Sequence, residues 1–138
     1  MSQQPKRPTV AIDLDGVLAA YEGKWRGVDF IGEPIPGAVA FTQEISKIAD
    51  VVIWTTRTNP DENYEYIPSD LRQKVVNWLN QNGFVYRAVY MGSGKPIAAA
   101  YVDDRAVPCQ PEKGLPAGAF NEAIAMVRGL LPSSNETA

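Results

Sequence analysis

The sequence contains no histidine. That absence removes Ser-His-Asp and Cys-His catalysis, the common zinc sites and histidine-based pH switching. A single cysteine, Cys109, excludes a disulfide within the chain and fits a cytoplasmic home. Long apolar runs are missing as well. Ile97 to Val102 spans six residues, whereas a membrane-spanning helix needs about 20, so no membrane association is expected. The opening MSQQPKRPTV lacks the apolar stretch of a secretory signal. Basic charge is not in excess: 13 Lys and Arg against 16 Asp and Glu leave −3. That balance does not favour bulk nucleic-acid binding, although a local patch stays open. Chemistry is left to carboxylates, lysine, hydroxyls, backbone amides or a hard cation.

What is present is ordinary globular material: 138 residues, 45% apolar and 21% charged, the size and usage of one domain. Residues 1–7 and 132–138 read as disordered tails, leaving a single core domain over 8–131. Asn135-Glu136-Thr137 matches a glycosylation acceptor, a match that is idle without a signal peptide. Thr9 to Leu14 reads as a buried strand running into a turn at Gly16, and Val51 to Trp54 as a second. Phe84 to Val89 and Ala100 to Val102 read as the third and fourth strands. Helices are expected over Pro36 to Ala49, with Ala38, Phe41, Ile45 and Ile48 inward, and from a capping box at Asp70 and Gln73 through to Gly83. The second carries the stripe Leu71, Val75, Trp78 and Leu79. Lys95-Pro96 opens a short helical piece, and a last helix covers about Ala119 to Leu130, with Phe120, Ile124 and Val127 inward.

This alternation predicts an α/β fold, a parallel sheet with helices on both faces. In such sheets ligands bind beyond the carboxyl ends of the strands. Three of those ends carry Asp13 to Asp15, Thr55 to Arg57, and Asp103-Asp104. Each pair of acids taken singly also reads as strand-end or turn residues. Thr55 alone reads as a β-branched strand residue, and Lys95 alone as a solvated turn lysine. Together the four acids place −4 on one edge, Lys95 adds +1, and a divalent cation would leave about −1. Oxygen donors without His or Cys point to Mg²⁺. A Walker A loop is excluded, because Val89 and Pro96 stand where that pattern needs Gly and Ser or Thr.

The series AIDLDGVL, VVIWTT, Lys95 and AYVDD resembles, in order, the four motifs of the haloacid dehalogenase-like hydrolases. GEPIPGAV, IWTTR and YVDDRAV are similar to a small capless phosphatase-like group within them. The resemblance implies a three-layer Rossmann-like fold and a magnesium-dependent phosphatase working through an aspartyl-phosphate. It implies Asp13 as nucleophile and Asp15 as general acid and then base. Thr55, Thr56 and Lys95 would hold phosphoryl oxygens. Asp104 would be the main acidic ligand of the metal, beside Asp13 and the backbone carbonyl of Asp15, and Asp103 would act through water or as a partial ligand. Residues 19–36 form only a flap, so no cap domain covers the site. An open site admits a phosphorylated small molecule or an exposed phosphate on a larger partner, a nucleic-acid end included, or is covered by a second copy in a homo-oligomer. Lys24, Trp25, Arg26 and Arg57 are candidate substrate contacts, with plain packing of the flap as the other reading. Transfer of the phosphoryl group to an acceptor other than water, a phospho-acceptor switch domain, and a catalytically silent phosphate-binding module remain alternatives.

Overall fold

The computed structural model describes residues 7–132. Its chain forms two compact units, one running to Asp104 and the other starting at Arg105. The first unit is α/β. Four strands, β1 (Thr9–Ile12), β2 (Asp50–Ile53), β3 (Ala88–Val89) and β4 (Ala100–Val102), pair in parallel in the order β3-β2-β1-β4. Helices α1 (Ala38–Ser46) and α2 (Pro68–Gln81) make the first two crossovers. This arrangement is consistent with a Rossmann-like fold.

Register decides where the core lies. Ile12 pairs with Ile53 on one side and Val102 on the other, and Ile53 pairs with Val89. Side chains alternate along a strand, so these four form one row on one face. Ile12, Ile53 and Val51 are fully or almost fully buried with Val75 and Leu79 of α2 and Ala38 of α1. The chain steps outward from β1 to β3 and then returns to place β4 on the other side of β1. The topological switch therefore falls between β1 and β4, whose carboxyl ends lead into Asp13 and Asp103.

Several expected boundaries move, each for a tertiary reason. Helix α2 starts at Pro68 with no side-chain cap, because proline's fixed φ suits the first turn two residues before Asp70. The expected capping box does not form, and the Gln73 amide instead donates to Asn77 Oδ1 at 2.6 Å. In α1 the buried positions are Ala38 and Thr42, while Phe41 is 36% exposed, and Ile48, beyond the helix end at Ser46, is 70% exposed. Strand β3 shrinks to two residues because Phe84 turns into the core to stack on Trp78, and the Val85 amide donates to Thr42 Oγ1. No helix follows Lys95-Pro96. The Pro96 carbonyl accepts the Tyr101 hydroxyl at 2.5 Å and the Ala99 amide reaches Thr9 O at 2.8 Å, so the backbone is already tied to the sheet.

The ends differ too. Arg7, read as tail, donates to the carbonyls of Ser46 and Ala49. The glycosylation match at residues 135–137 lies outside the described residues. The second unit holds α3 (Ala119–Leu130), a 3-10 turn at Pro111–Lys113 and a bridge between Gln110 and Leu115. Phe120, Ile124 and Val127, expected inward, are 67%, 50% and 44% exposed. Among the described residues, their own unit has no other helix or strand large enough to cover them. No helix among the described residues is long and apolar enough to cross a membrane.

The packing makes a graded prediction. Leu79 is fully buried, so Leu79→Ala is expected to lower unfolding free energy by about 2–5 kcal/mol. Ile97 is 96% exposed, and Ile97→Ala is expected to stay within about 0.5 kcal/mol. Urea titrations of both variants check this.

Candidate functional site

The site begins where β1 stops. The Asp13 amide donates to Val102 O at 2.9 Å, which extends the β1–β4 pairing and holds Asp13 beside the end of β4. From there Asp13, Asp103 and Asp104 each offer a carboxylate oxygen, and these oxygens all lie within 4.8 Å of one another. Asp13 is half-buried, and the other two are exposed. Burial, the charge of Asp103 and then the charge and hydrogen bond of Asp104 push the Asp13 carboxyl up to about 7. The Leu14 amide, donating to Asp13 Oδ1 at 2.8 Å, pulls the other way and loses.

Gly16 is required by this crowding. Its φ is +87°, and a Cβ there would run into the Asp104 carboxylate. The turn brings the chain back through the Gly16 amide, which donates to Ala19 O at 2.8 Å.

The Asp15 carboxylate is not part of the three-acid cluster, and the expected ligand from Asp15 is its backbone carbonyl. Its carboxylate faces Arg57, with Nε 2.7 Å from Oδ2 and Nη2 2.9 Å from Oδ1. Both side chains are largely buried, at 17% and 5% exposure. The strand-end charge thus divides into a triad and a compensated pair. Arg57 sits in the 3-10 turn Thr56–Thr58 that follows β2, and its amide donates to Thr55 Oγ1 at 3.2 Å. Thr55 is buried, and Thr56 is exposed. The Thr55 hydroxyl therefore shapes the turn that delivers Arg57. Lys95 is exposed, with its ammonium 4.3 Å from the centre of the Tyr101 ring.

The flap is closed at its base by the Ala20 amide on Glu33 O and the Ile35 amide on Leu18 O. Its outer part packs on α2 through Trp78 Nε1 to Gly32 O at 3.0 Å and Lys74 to Asp29 at 2.5 Å. Between flap and sheet edge lies a cleft of about 200 Å³ lined by Asp15, Arg57, Lys24, Arg26, Glu22 and Glu33 among others. Trp25 lies over the Arg57 guanidinium at 4.7 Å, and Arg26 over the Phe30 ring at 4.9 Å. Sequence reasoning missed the Asp15–Arg57 pair. The available signal was that Asp15 and Arg57 closely follow the carboxyl ends of neighbouring parallel strands, which places both at the same edge.

The Asp13 shift has a stability consequence. Without a cation the folded state holds this proton more tightly than the unfolded chain does, so the contribution is full below about 3.8 and is lost as pH rises through about 7. In chelator, the denaturation midpoint is expected to fall across that window. Asp13→Asn is expected to remove that part of the slope, and Mg²⁺ to raise the midpoint most at the alkaline end. A pH series of urea melts with chelator or Mg²⁺ measures all three.

No protein-family model matches the chain, and no curated protein matches it in sequence. A crystal structure of a Vibrio cholerae protein is similar over 88% of this chain and 98% of that one, with 20% identity and a TM-score of 0.48. A likeness of that size carries no argument about fold or function.

Proposed function

We propose that the protein is a magnesium-dependent phosphomonoester hydrolase with a capless, three-layer haloacid dehalogenase-like fold, acting through an aspartyl-phosphate on Asp13. The observation that carries this reading is the convergence of Asp13, Asp103 and Asp104 at the switch between β1 and β4. The donor set fits Mg²⁺. All its atoms are hard oxygens, two of the three acids are exposed enough to leave room for water, and the proton on Asp13 marks a place where a cation would relieve repulsion. When bound, Mg²⁺ would neutralise phosphoryl oxygens and keep Asp13 ionised for attack.

The chain's own groups divide the remaining work. An Asp13 oxygen attacks phosphorus, the P–O bond to the leaving group breaks, and the leaving oxygen takes the proton of an Asp15 that enters this step protonated, on a lone pair that Arg57 does not hold. Asp15 then takes a proton from the water that cleaves the acyl phosphate, restoring Asp13 and releasing phosphate. Splitting one hard displacement into two is what covalent catalysis supplies. Thr55, Thr56 and Lys95 are assigned to the phosphoryl oxygens.

The cleft beside Asp15 suits the leaving group. Lys24, Arg26 and Arg57 are matched one for one by Glu22, Glu33 and Asp15, so it offers no surplus positive charge for a second phosphate. Its volume is below the roughly 300–1,000 Å³ of drug-sized pockets. A monophosphate of a single neutral ring or polyol fits these features better than a nucleic-acid end.

Turnover is expected to vanish in chelator and return with Mg²⁺. Asp13→Asn is expected to reduce it to background with the fold retained, because an amide is a poor nucleophile. Among matched sugar mono- and bisphosphates, the monophosphates are expected to show the higher kcat/KM. Phosphate release from such a panel, with wild type and variant, is the measurement. Full activity in chelator or in Asp13→Asn overturns the proposal.

A further inference from the structure

We infer that Arg57 is the positioning residue for Asp15, holding its carboxylate in one orientation for proton transfer, and that the flap holds Arg57. The inference rests on the phosphohydrolase reading above.

The geometry is more constrained than an ion pair needs. Arg57 uses Nε and Nη2 as a fork on both Asp15 oxygens, at 2.7 and 2.9 Å. A fork fixes the plane of the carboxylate as well as its distance. A carboxylate has about four lone-pair positions, and Arg57 takes two. The other two stay available on a side chain that lines the cleft.

Arg57 is itself anchored. Nη2 also donates to Phe30 O in the flap at 2.7 Å, and the Trp25 ring lies over its guanidinium. Its backbone is set by the Thr55 hydroxyl. Stability alone does not account for this arrangement. A buried ion pair is on average no better than apolar packing of the same volume. Arg57 Nη1 is buried with no hydrogen-bond partner among the described residues. Orientation does account for it, since a displacement of about 1 Å in a catalytic group can cost about 10²-fold.

The test compares two leaving groups on the full chain with saturating Mg²⁺. An alkyl phosphate needs its leaving oxygen protonated. An aryl phosphate with an acidic phenol needs it far less. Arg57→Lys keeps the charge and loses the fork. It is expected to lower kcat on the alkyl phosphate by about 10²–10⁴-fold, with KM nearly unchanged and a much smaller loss on the aryl phosphate. Asp15→Asn with Arg57→Lys is expected to be no slower than Asp15→Asn alone, since the two groups act as a unit. Arg57→Gln is read in parallel, and thermal melts select variants that remain folded. Equal losses on both substrates, or losses that add to those of Asp15→Asn, overturn the inference while leaving the hydrolase reading intact. A wild type that hydrolyses neither substrate overturns the hydrolase reading, and this inference with it.

Discussion

Like charge gathered at one sheet edge is the constraint on which the rest of the site depends. Parallel strands all send their carboxyl ends the same way, and the return from β3 to β4 sets Asp103 and Asp104 beside Asp13. Four carboxylates in that space are costly unless each charge is met or removed. The chain answers in two ways. Asp15 is met by Arg57 in a buried fork. Asp13 instead holds its proton to about 7, pushed up by burial and by Asp103 and Asp104.

Under the proposed hydrolase reading, those two answers would suit two chemical roles on residues only two apart. A nucleophile has to be ionised in the presence of substrate and exposed to it, and a group whose charge appears with the cation meets both conditions. A proton-transfer group has to keep its place as charge moves past it. Asp15 meets that condition because its partner is covalently part of the chain and arrives on a rigid turn after β2. Exchanging the partners would leave the proposed nucleophile blocked by arginine and the proposed acid–base group without its fork.

Much of this is legible in the sequence where local signals and topology agree. The strand ends, the convergence of Asp13 with the acidic pair, and the apolar stripe of α2 follow from alternation, connection order and helical spacing. Leu71, Val75 and Leu79 are buried as that spacing requires. The misses share a different cause. Lys95-Pro96 has the local chemistry of a helix start, but Tyr101 takes the Pro96 carbonyl. Asp70 and Gln73 have the pattern of a cap, but Pro68 starts the helix first. Phe120, Ile124 and Val127 keep helical spacing, yet burial needs an opposing surface that spacing does not supply. The Asp15–Arg57 pair joins residues 42 apart, and only the β1–β2 register brings them together.

The flap extends the argument from charge to access. A small flap has little core of its own, and this one takes its rigidity from α2 through Trp78 on Gly32 O and Lys74 on Asp29. Its inner side then gives Arg57 a carbonyl and an aromatic face. The Arg57 guanidinium stands between a fixed sheet edge and the flap, donating to both. Any ligand entering the cleft meets Asp15, Arg57 and flap residues in one space. A group that displaces Trp25 or pulls the Phe30 carbonyl away therefore acts on Arg57 first and, through the fork, on Asp15. Under the proposed hydrolase reading, what occupies the cleft and how the Asp15 carboxylate is oriented would be coupled through a single guanidinium.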